Sequence, residues 1–372
     1  MMLGALQDLA QYQPRWLDPV STTYRGRYTV CAAPPPNHGT QILECLSLLE
    51  GYPLSEWGHN SEKALHVFFE SMKRAAADRA VWRRPETAAG LLAKGYAEER
   101  RAGIGERATP SATQAGGFRH GDSAADAGDP EDWLKRWGST THFDVVDREG
   151  NALSCTHSLG GGYGCGLVVP GAGFAINNFH STHRSPLCVT ECDASVCASA
   201  PSQTRCADWA DLDPASPASI APGRLASETD ISCMAPIMIF DSGNAGEKGG
   251  EGKGELRYAL GTPGSFGIPQ TTTQLIVNCL DFGMDLQEAI EAPRVSLPYE
   301  TQGLDHPSAL TINLEGRIDP AVVAALEARG HIANVKASWD PFFGGMQGVC
   351  VHANGALSGG ADPRRDGVAM GY

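Results

Sequence analysis

Thr140-Thr141-His142 opens a strand-like run to Asp147, directly behind a stretch of Gly, Ala, Ser, Thr and charged residues with no periodicity. A threonine hydroxyl is a weak nucleophile until a base sits beside it. A cut between Ser139 and Thr140 would supply that base on the same residue, because a freed α-amino group has a pKa near ~7.7–8.0. The Thr140 hydroxyl would attack the Ser139 carbonyl, carry the acyl chain from nitrogen to oxygen, and be freed by hydrolysis of the ester. The triplet by itself is ordinary strand composition, since threonine packs well on a pleated surface. Its place behind an aperiodic segment and the pair Gly138-Ser139 sets it apart.

Other reactive side chains have plainer readings. His142 shares the face of Thr140 only by strand alternation and reads as structural. Gly160-Gly161-Gly162 and Gly249-Gly250 lack the Lys-Ser/Thr and the helix start of a phosphate loop. Cys188, Cys192, Cys197 and Cys206 are spaced by four, five and nine, and only the first spacing suits zinc, so they read as loop thiols or disulfides. The eleven histidines show no HExxH pattern, and no metal or cofactor is expected. Asp362-Pro363-Arg364-Arg365 admits two readings, a surface ion pair or a buttress for the site.

The elements that must hold Thr140 follow from patterning. Thr141–Asp147 and Ala152–Leu159 alternate around the turn Arg148-Glu149-Gly150-Asn151, which predicts a hairpin. Residues 24–33 read as one strand ended by the Pro34-Pro35-Pro36 turn. Ile42, Leu43, Leu46, Leu48 and Leu49, then Leu65, Phe68, Phe69, Met72 and Ala76, mark two helices. Ile237–Phe240 and Leu256–Leu260 read as a hairpin interrupted by an insertion at about 242–254, and a second insertion covers about 183–224. Helices are predicted over 271–282, 286–292 and 321–329, and strands over 310–314 and 347–353. Arg101–Gly128 reads as flexible surface chain. Hairpins alternating with paired helices favour a layered α+β protein over a doubly wound parallel sheet.

Composition narrows the function classes. With 372 residues, 42% hydrophobic and 19% charged, the chain is globular and has the length for a large core. A net charge of −14 argues against a nucleic-acid partner, which requires clustered basic surface. No apolar run reaches the ~18 residues of a membrane span. The first residues, MMLGALQDLAQYQPRW, do not form a secretory signal, and the eleven cysteines leave the compartment open.

The run Thr140–Asp147, then Gly150-Asn151-Ala152, Gly173-Phe174, Asn177-Asn178, Cys233-Met234-Ala235-Pro236 and Gly261-Thr262-Pro263-Gly264-Ser265 resembles the small subunit of gamma-glutamyltransferases (glutathione hydrolases). Glu291-Ala292-Pro293-Arg294 and Gly360-Ala361-Asp362-Pro363-Arg364 to Gly371-Tyr372 continue the same order. Upstream, Tyr24-Arg25-Gly26, Pro34-Pro35-Pro36 and Ala77-Asp78-Arg79 resemble the last part of that family's large subunit. The resemblance implies an N-terminal-nucleophile hydrolase, a four-layer αββα sandwich made as a proenzyme. The cut before Thr140 would separate 1–139, with a pre-cleavage segment at about 101–139, from a catalytic 140–372, the two fragments staying associated.

The implied reaction is acyl transfer from a γ-glutamyl amide such as glutathione, to water or an amino-acid acceptor, through an acyl-enzyme on Thr140. The implied roles are a hydroxyl on Ser158 that bonds the nucleophile, backbone N–H groups of Gly264 and Ser265 as oxyanion hole, and Ser232 with Cys233 on the substrate α-carboxylate. Gly160, Phe179 and Thr182 stand at or near where the family reads the γ-glutamyl group with Asn, Gln or Glu, and Asp. Losing that Asp removes the partner of the substrate ammonium. An acylase or amidohydrolase with a non-glutamyl substrate is therefore one alternative. A truncated non-catalytic homologue is another, because the family's large subunit has a further N-terminal part, with the Arg that grips the substrate carboxylate. Family members are commonly periplasmic, extracellular or surface-bound.

Overall fold

The computed structural model describes residues 13–35, 37–78, 85–110, 140–160, 164, 166, 168, 171, 173–177, 234–243, 254–264, 267–298 and 310–372. Contacts divide the chain into two units, Met1–Asp18 with His180–Asp230, and Pro19–Phe179 with Ile231–Tyr372. Almost all of the first unit lies outside the described residues, and the second carries the site.

Its centre is a six-stranded antiparallel sheet in the order β1 (Val20–Tyr24), β2 (Tyr28–Ala32), β5 (Ile237–Asp241), β6 (Glu255–Gly261), β10 (Gln347–Val351), β11 (Leu357–Ala361). A two-stranded sheet joins β3 (Thr140–Val146) to β4 (Ala152–Ser158). A third sheet orders β7 (Val295–Ser296), β8 (Thr311–Glu315) and β9 (Ile332–Lys336), with β8 and β9 parallel across the helix Pro320–Ala328. Val30, Ala32, Ile237, Ile239, Tyr258 and Leu260 bury one face of the large sheet against helices. The helices are α1 (Gly39–Leu49), α3 (Glu62–Ala77), α6 (Ile268–Leu280) and α7 (Leu286–Glu291). Side chains alternate along a strand, so Gly261 faces the other way from Leu260, and there the β3–β4 hairpin packs on β6 and β10. Helices and mostly antiparallel sheets thus combine in an α+β arrangement.

Local chemistry explains each piece. All eleven residues of α1 are buried, the polar Thr40, Gln41, Glu44 and Ser47 as well as the apolar stripe. Helix α3 starts where Ser61 accepts a hydrogen bond from the Ala64 N–H, closing one of the unpaired donors of its first turn. The β3–β4 turn is locked by Asp147, whose carboxylate accepts from Asn151 N and Asn151 Nδ2, both at 2.8 Å.

Two expectations need correction. Residues 24–33 are not one strand: the chain reverses at Arg25-Gly26, both with positive φ (53° and 64°), and β1 and β2 form a hairpin. Residues 101–110 are not loose surface chain. They finish the helix Lys94–Ala102 and then run as a strap held by the buried Glu70 and Lys73 of α3 and by the partly exposed Arg329. Residues 111–139, and the two insertions apart from Ser242, Gly243 and Gly254, lie outside the described residues. Strands β9 and β11, unanticipated from patterning, complete the sheets.

Candidate active site

Thr140 is the first residue of β3 and faces Ser158, the last of β4, across the antiparallel ladder. Their hydroxyl oxygens are 2.9 Å apart. Ser158 Oγ also accepts the Gly160 backbone N–H at 3.0 Å. With that lone pair taken, Ser158 can donate its own proton to the Thr140 hydroxyl.

The hairpin carries its polar residues inward. Thr140, His142 and Asp144 from β3, and Ser154, Thr156 and Ser158 from β4, share the face toward the large sheet. His142 is buried, with Nδ1 at 2.7 Å from Thr156 Oγ1 and Nε2 at 2.9 Å from Asp144 Oδ2. On the opposite face Phe143, Val145 and Leu153 are 41%, 50% and 49% exposed. This is the reverse of a sheet that buries apolar groups and solvates polar ones.

Gly264, expected from the resemblance to supply an oxyanion donor, lies three residues past the end of β6. Gly264 has φ +140°, and a Cβ there would meet Gly344 Cα at 3.4 Å, so a backbone donor is presented without a side chain. A hydrogen-bonded turn, Gly267 N to Gly264 O at 2.9 Å, then leads into α6. The loop carrying Gly344 is tied down throughout. Phe343 O accepts from Thr271 Oγ1 (3.2 Å) and Arg294 (3.0 Å), Gly345 N donates to Thr262 Oγ1 (3.1 Å), and Met346 N donates to Asp362 Oδ2 (2.9 Å).

Asp362 in turn takes Arg294 and Arg364, and Arg364 reaches Glu315 at 2.8 Å. Of the two readings of Asp362-Pro363-Arg364-Arg365, the geometry selects the buttress. Burial pulls the Arg294 guanidinium down to about 10 against the opposing pull of Asp362. Burial would raise Glu315, but its hydrogen bond and attraction to Arg364 leave its carboxyl below the usual range.

A cleft of about 390 Å³ runs beside β3, lined by Thr140, His142, Pro263, Gly348, Gly360 and Arg365 among others. The Arg365 guanidinium is anchored on Pro341 O at 2.8 and 3.1 Å.

Of the residues singled out from sequence, Thr140, Ser158 and Gly160 come together, and Gly264 follows Pro263 of the same cleft. Ser139, Phe179, Thr182, Ser232, Cys233 and Ser265 lie outside the described residues, as do Cys188, Cys192, Cys197 and Cys206. Sequence reasoning passed over Asp144 and Thr156. The signal was there, in two strands whose polar residues recur at every second position.

Elsewhere, His66, Glu70 and His331 bring ligand-type atoms within 4.8 Å of one another. Most of their atoms are occupied by protein: His66 bonds Gly105 O and His331 Nε2, each at 2.9 Å, and Glu70 takes Lys73, Arg74 and Thr109, while His331 Nδ1 is buried without a hydrogen-bond partner. The cluster is the clamp on the 103–109 strap.

The gamma-glutamyltranspeptidase family model matches residues 4–372, almost the whole chain. The chain belongs to the gamma-glutamyltranspeptidase family. It is 32% identical to the acylase ACY 1 proenzyme of Pseudomonas sp. (strain SE83), over 98% of this chain and 53% of that one. It is 29% identical to the glutathione hydrolase proenzyme of Pseudomonas sp. (strain A14), over 98% of this chain and 56% of the relative. Among solved structures, cephalosporin acylase from Bacillus halodurans superposes with a TM-score of 0.68 at 25% identity, covering 98% of this chain and 55% of that one. The chain therefore spans little more than half the length of the gamma-glutamyltranspeptidase relatives it matches. No helix among the described residues is long and apolar enough to cross a membrane.

Proposed function

We propose that this chain carries the catalytic half of a threonine amidohydrolase or acyltransferase, cut between Ser139 and Thr140 into 1–139 and 140–372. Thr140 is nucleophile and, through its new α-amino group, base; Ser158 orients it. The N–H groups of Gly264 and Ser265 receive the oxyanion, and an acyl-enzyme on Thr140 is passed to water or an amine. The observation that carries this reading is the 2.9 Å hydroxyl pair at the head of β3, opening on a cleft. The proenzyme names of two relatives and the likeness to an acylase structure support it. On this reading the fold is the four-layer αββα sandwich, the two fragments remaining together.

The acyl donor follows the side chains that face it. A γ-glutamyl amide such as glutathione is one candidate, with Ser232 and Cys233 on its α-carboxylate. The second is an acyl chain without an α-ammonium. What favours it is Gly160, which offers no side chain where the family has Asn, together with Phe179 in place of Gln or Glu and Thr182 near the position of the Asp that would pair with the ammonium.

Intact-mass analysis of the expressed chain tests the cut: two fragments separating at Ser139-Thr140 are expected, and none from Thr140→Ala. Hydrolysis of γ-glutamyl-p-nitroanilide beside the analogue lacking the α-ammonium then decides the donor. Wild-type release equal to that of Thr140→Ala on both would refute the enzyme reading.

A further inference from the structure

We infer that His142 is a positioning residue, a rigid spacer between the strand that carries Thr140 and the Gly261–Gly264 run that carries the oxyanion donors; this rests on the threonine-nucleophile reading above. Three contacts hold the imidazole. Thr156 Oγ1 of β4 lies 2.7 Å from Nδ1 and Asp144 Oδ2 lies 2.9 Å from Nε2, so both edges of the ring are pinned. The third contact is with Gly261. A Cβ built on Gly261 would lie 2.3 Å from His142 Cε1 and 2.7 Å from each ring nitrogen, far inside van der Waals contact. The ring therefore occupies the space that any other residue at 261 would fill.

The consequence is geometric. His142 is two residues from Thr140 and on the same face of β3. Gly261 is the last residue of β6, three before Gly264. From Gly261 onward the backbone has little freedom, because Thr262 Oγ1 accepts from Gly345 N at 3.1 Å and Gly264 abuts Gly344. The ring's thickness thus sets the gap between nucleophile and oxyanion donors, and the two pinned edges keep it from turning.

A base role for His142 does not suit these contacts. Its side chain is fully buried and both nitrogens are engaged, so no lone pair is left for Thr140. An apolar side chain would fill the volume but leave Asp144, itself buried and with Oδ1 already lacking a partner, with neither oxygen bonded. A misplacement of about 1 Å between reacting groups costs on the order of 10²-fold in rate.

The test is a cycle of Gly261→Ala, His142→Ala and the double variant in the full chain. It is read by self-cleavage and by kcat and KM on γ-glutamyl-p-nitroanilide and its analogue lacking the α-ammonium. Gly261→Ala should lower kcat by about 10- to 100-fold with KM within about threefold, since the methyl drives the strands apart. In the double variant the methyl sits in the space the ring has left, and kcat should recover to at least about fivefold above Gly261→Ala. Wild-type kcat in Gly261→Ala, or losses that simply multiply in the double variant, would overturn the spacer. Should His142→Ala fail to fold, His142→Gln decides: combined with Gly261→Ala its more flexible amide should restore part of kcat, and no gain counts against the proposal. Thr140→Ala separates the two levels. If it keeps wild-type turnover, both readings fall, whereas its inactivity alongside an indifferent Gly261→Ala removes only the spacer.

Discussion

Two polar clusters sit within reach of the same loop, and they are built to opposite ends. In the buttress, Asp362 accepts from Arg294, Arg364 and the backbone N–H groups of Met346 and Arg364, while Glu315 takes Arg364, Arg317 and the N–H groups of Arg294 and Trp339. Every carboxylate oxygen there has a partner, and the charges are buried. At the head of β3, the Thr140 hydroxyl has one partner, Ser158, and a cleft in front of it. A network whose carboxylate oxygens are all taken resists rearrangement, even with Arg294 Nε unpaired, so it suits holding a loop; a hydroxyl with unused hydrogen-bonding capacity beside a cleft suits attack on a substrate. Removing a group from the first should cost folding and from the second should cost chemistry.

The largest effect tests the second half. Thr140→Ala should abolish self-cleavage and lower acyl p-nitroanilide hydrolysis by at least about 10³-fold, while leaving the thermal midpoint within a few degrees of wild type. A variant that also unfolds would erase the distinction between the clusters. Next comes Asp362→Ala, which strands Arg294 and Arg364 without their shared carboxylate. Denaturant unfolding should show a loss of about 3–5 kcal/mol, the usual cost of leaving a buried charge uncompensated. A loss below about 1 kcal/mol would mean that the buttress is no more than a surface ion pair.

A third cluster, the clamp on the 103–109 strap, shares the buttress's design and adds a pH dependence. Burial holds the His331 imidazole down to about 3, and Glu70 ends at about 2 because Lys73 and Thr109 outweigh its burial. Both depressions act in one direction. Below the ordinary histidine pKa of ~6.5 the unfolded chain takes up a proton that folded His331 refuses, and below ~4.3 the same holds for Glu70. Stability should fall as pH drops from about 6.5 toward 2, and His331→Gln should flatten the part between about 6.5 and 4.5. A thermal midpoint that is constant from pH 7 to 4.5 in the wild type would contradict this.

The hairpin was legible because period-two patterning and a four-residue turn are local signals, and the layered α+β arrangement followed from the spacing of such hairpins and helices. The Thr140–Ser158 pairing came from family resemblance; in the structure the two residues face each other across the antiparallel ladder. The buttress was legible only as one of two readings of Asp362–Arg365, because its partners lie 68 and 49 residues apart and no local pattern links them. The strap was misread for the same reason: its sequence is polar and aperiodic, and what fixes it comes from Glu70 and Arg329, 39 and 223 residues away. The reversal at Arg25 was hidden by a positive φ that non-glycine residues seldom adopt.

The smallest expected effect is at Ser158, and it probes how open the reactive cluster is. Ser158→Ala removes one neutral hydrogen bond to Thr140 and leaves the Gly160 N–H without its side-chain acceptor. Such a bond is worth about 1 kcal/mol, or about 5- to 10-fold in kcat if it matters mainly in orienting the nucleophile. Ser158→Thr keeps the hydroxyl at the same ladder position, and its kcat should stay within about threefold of wild type. If the alanine and threonine variants are equally slow, the Ser158 hydroxyl does not orient Thr140, and the contrast with the buttress would rest on Thr140 alone. If only alanine is slow while both unfold at the wild-type midpoint, the hydroxyl pair acts on chemistry and not on stability.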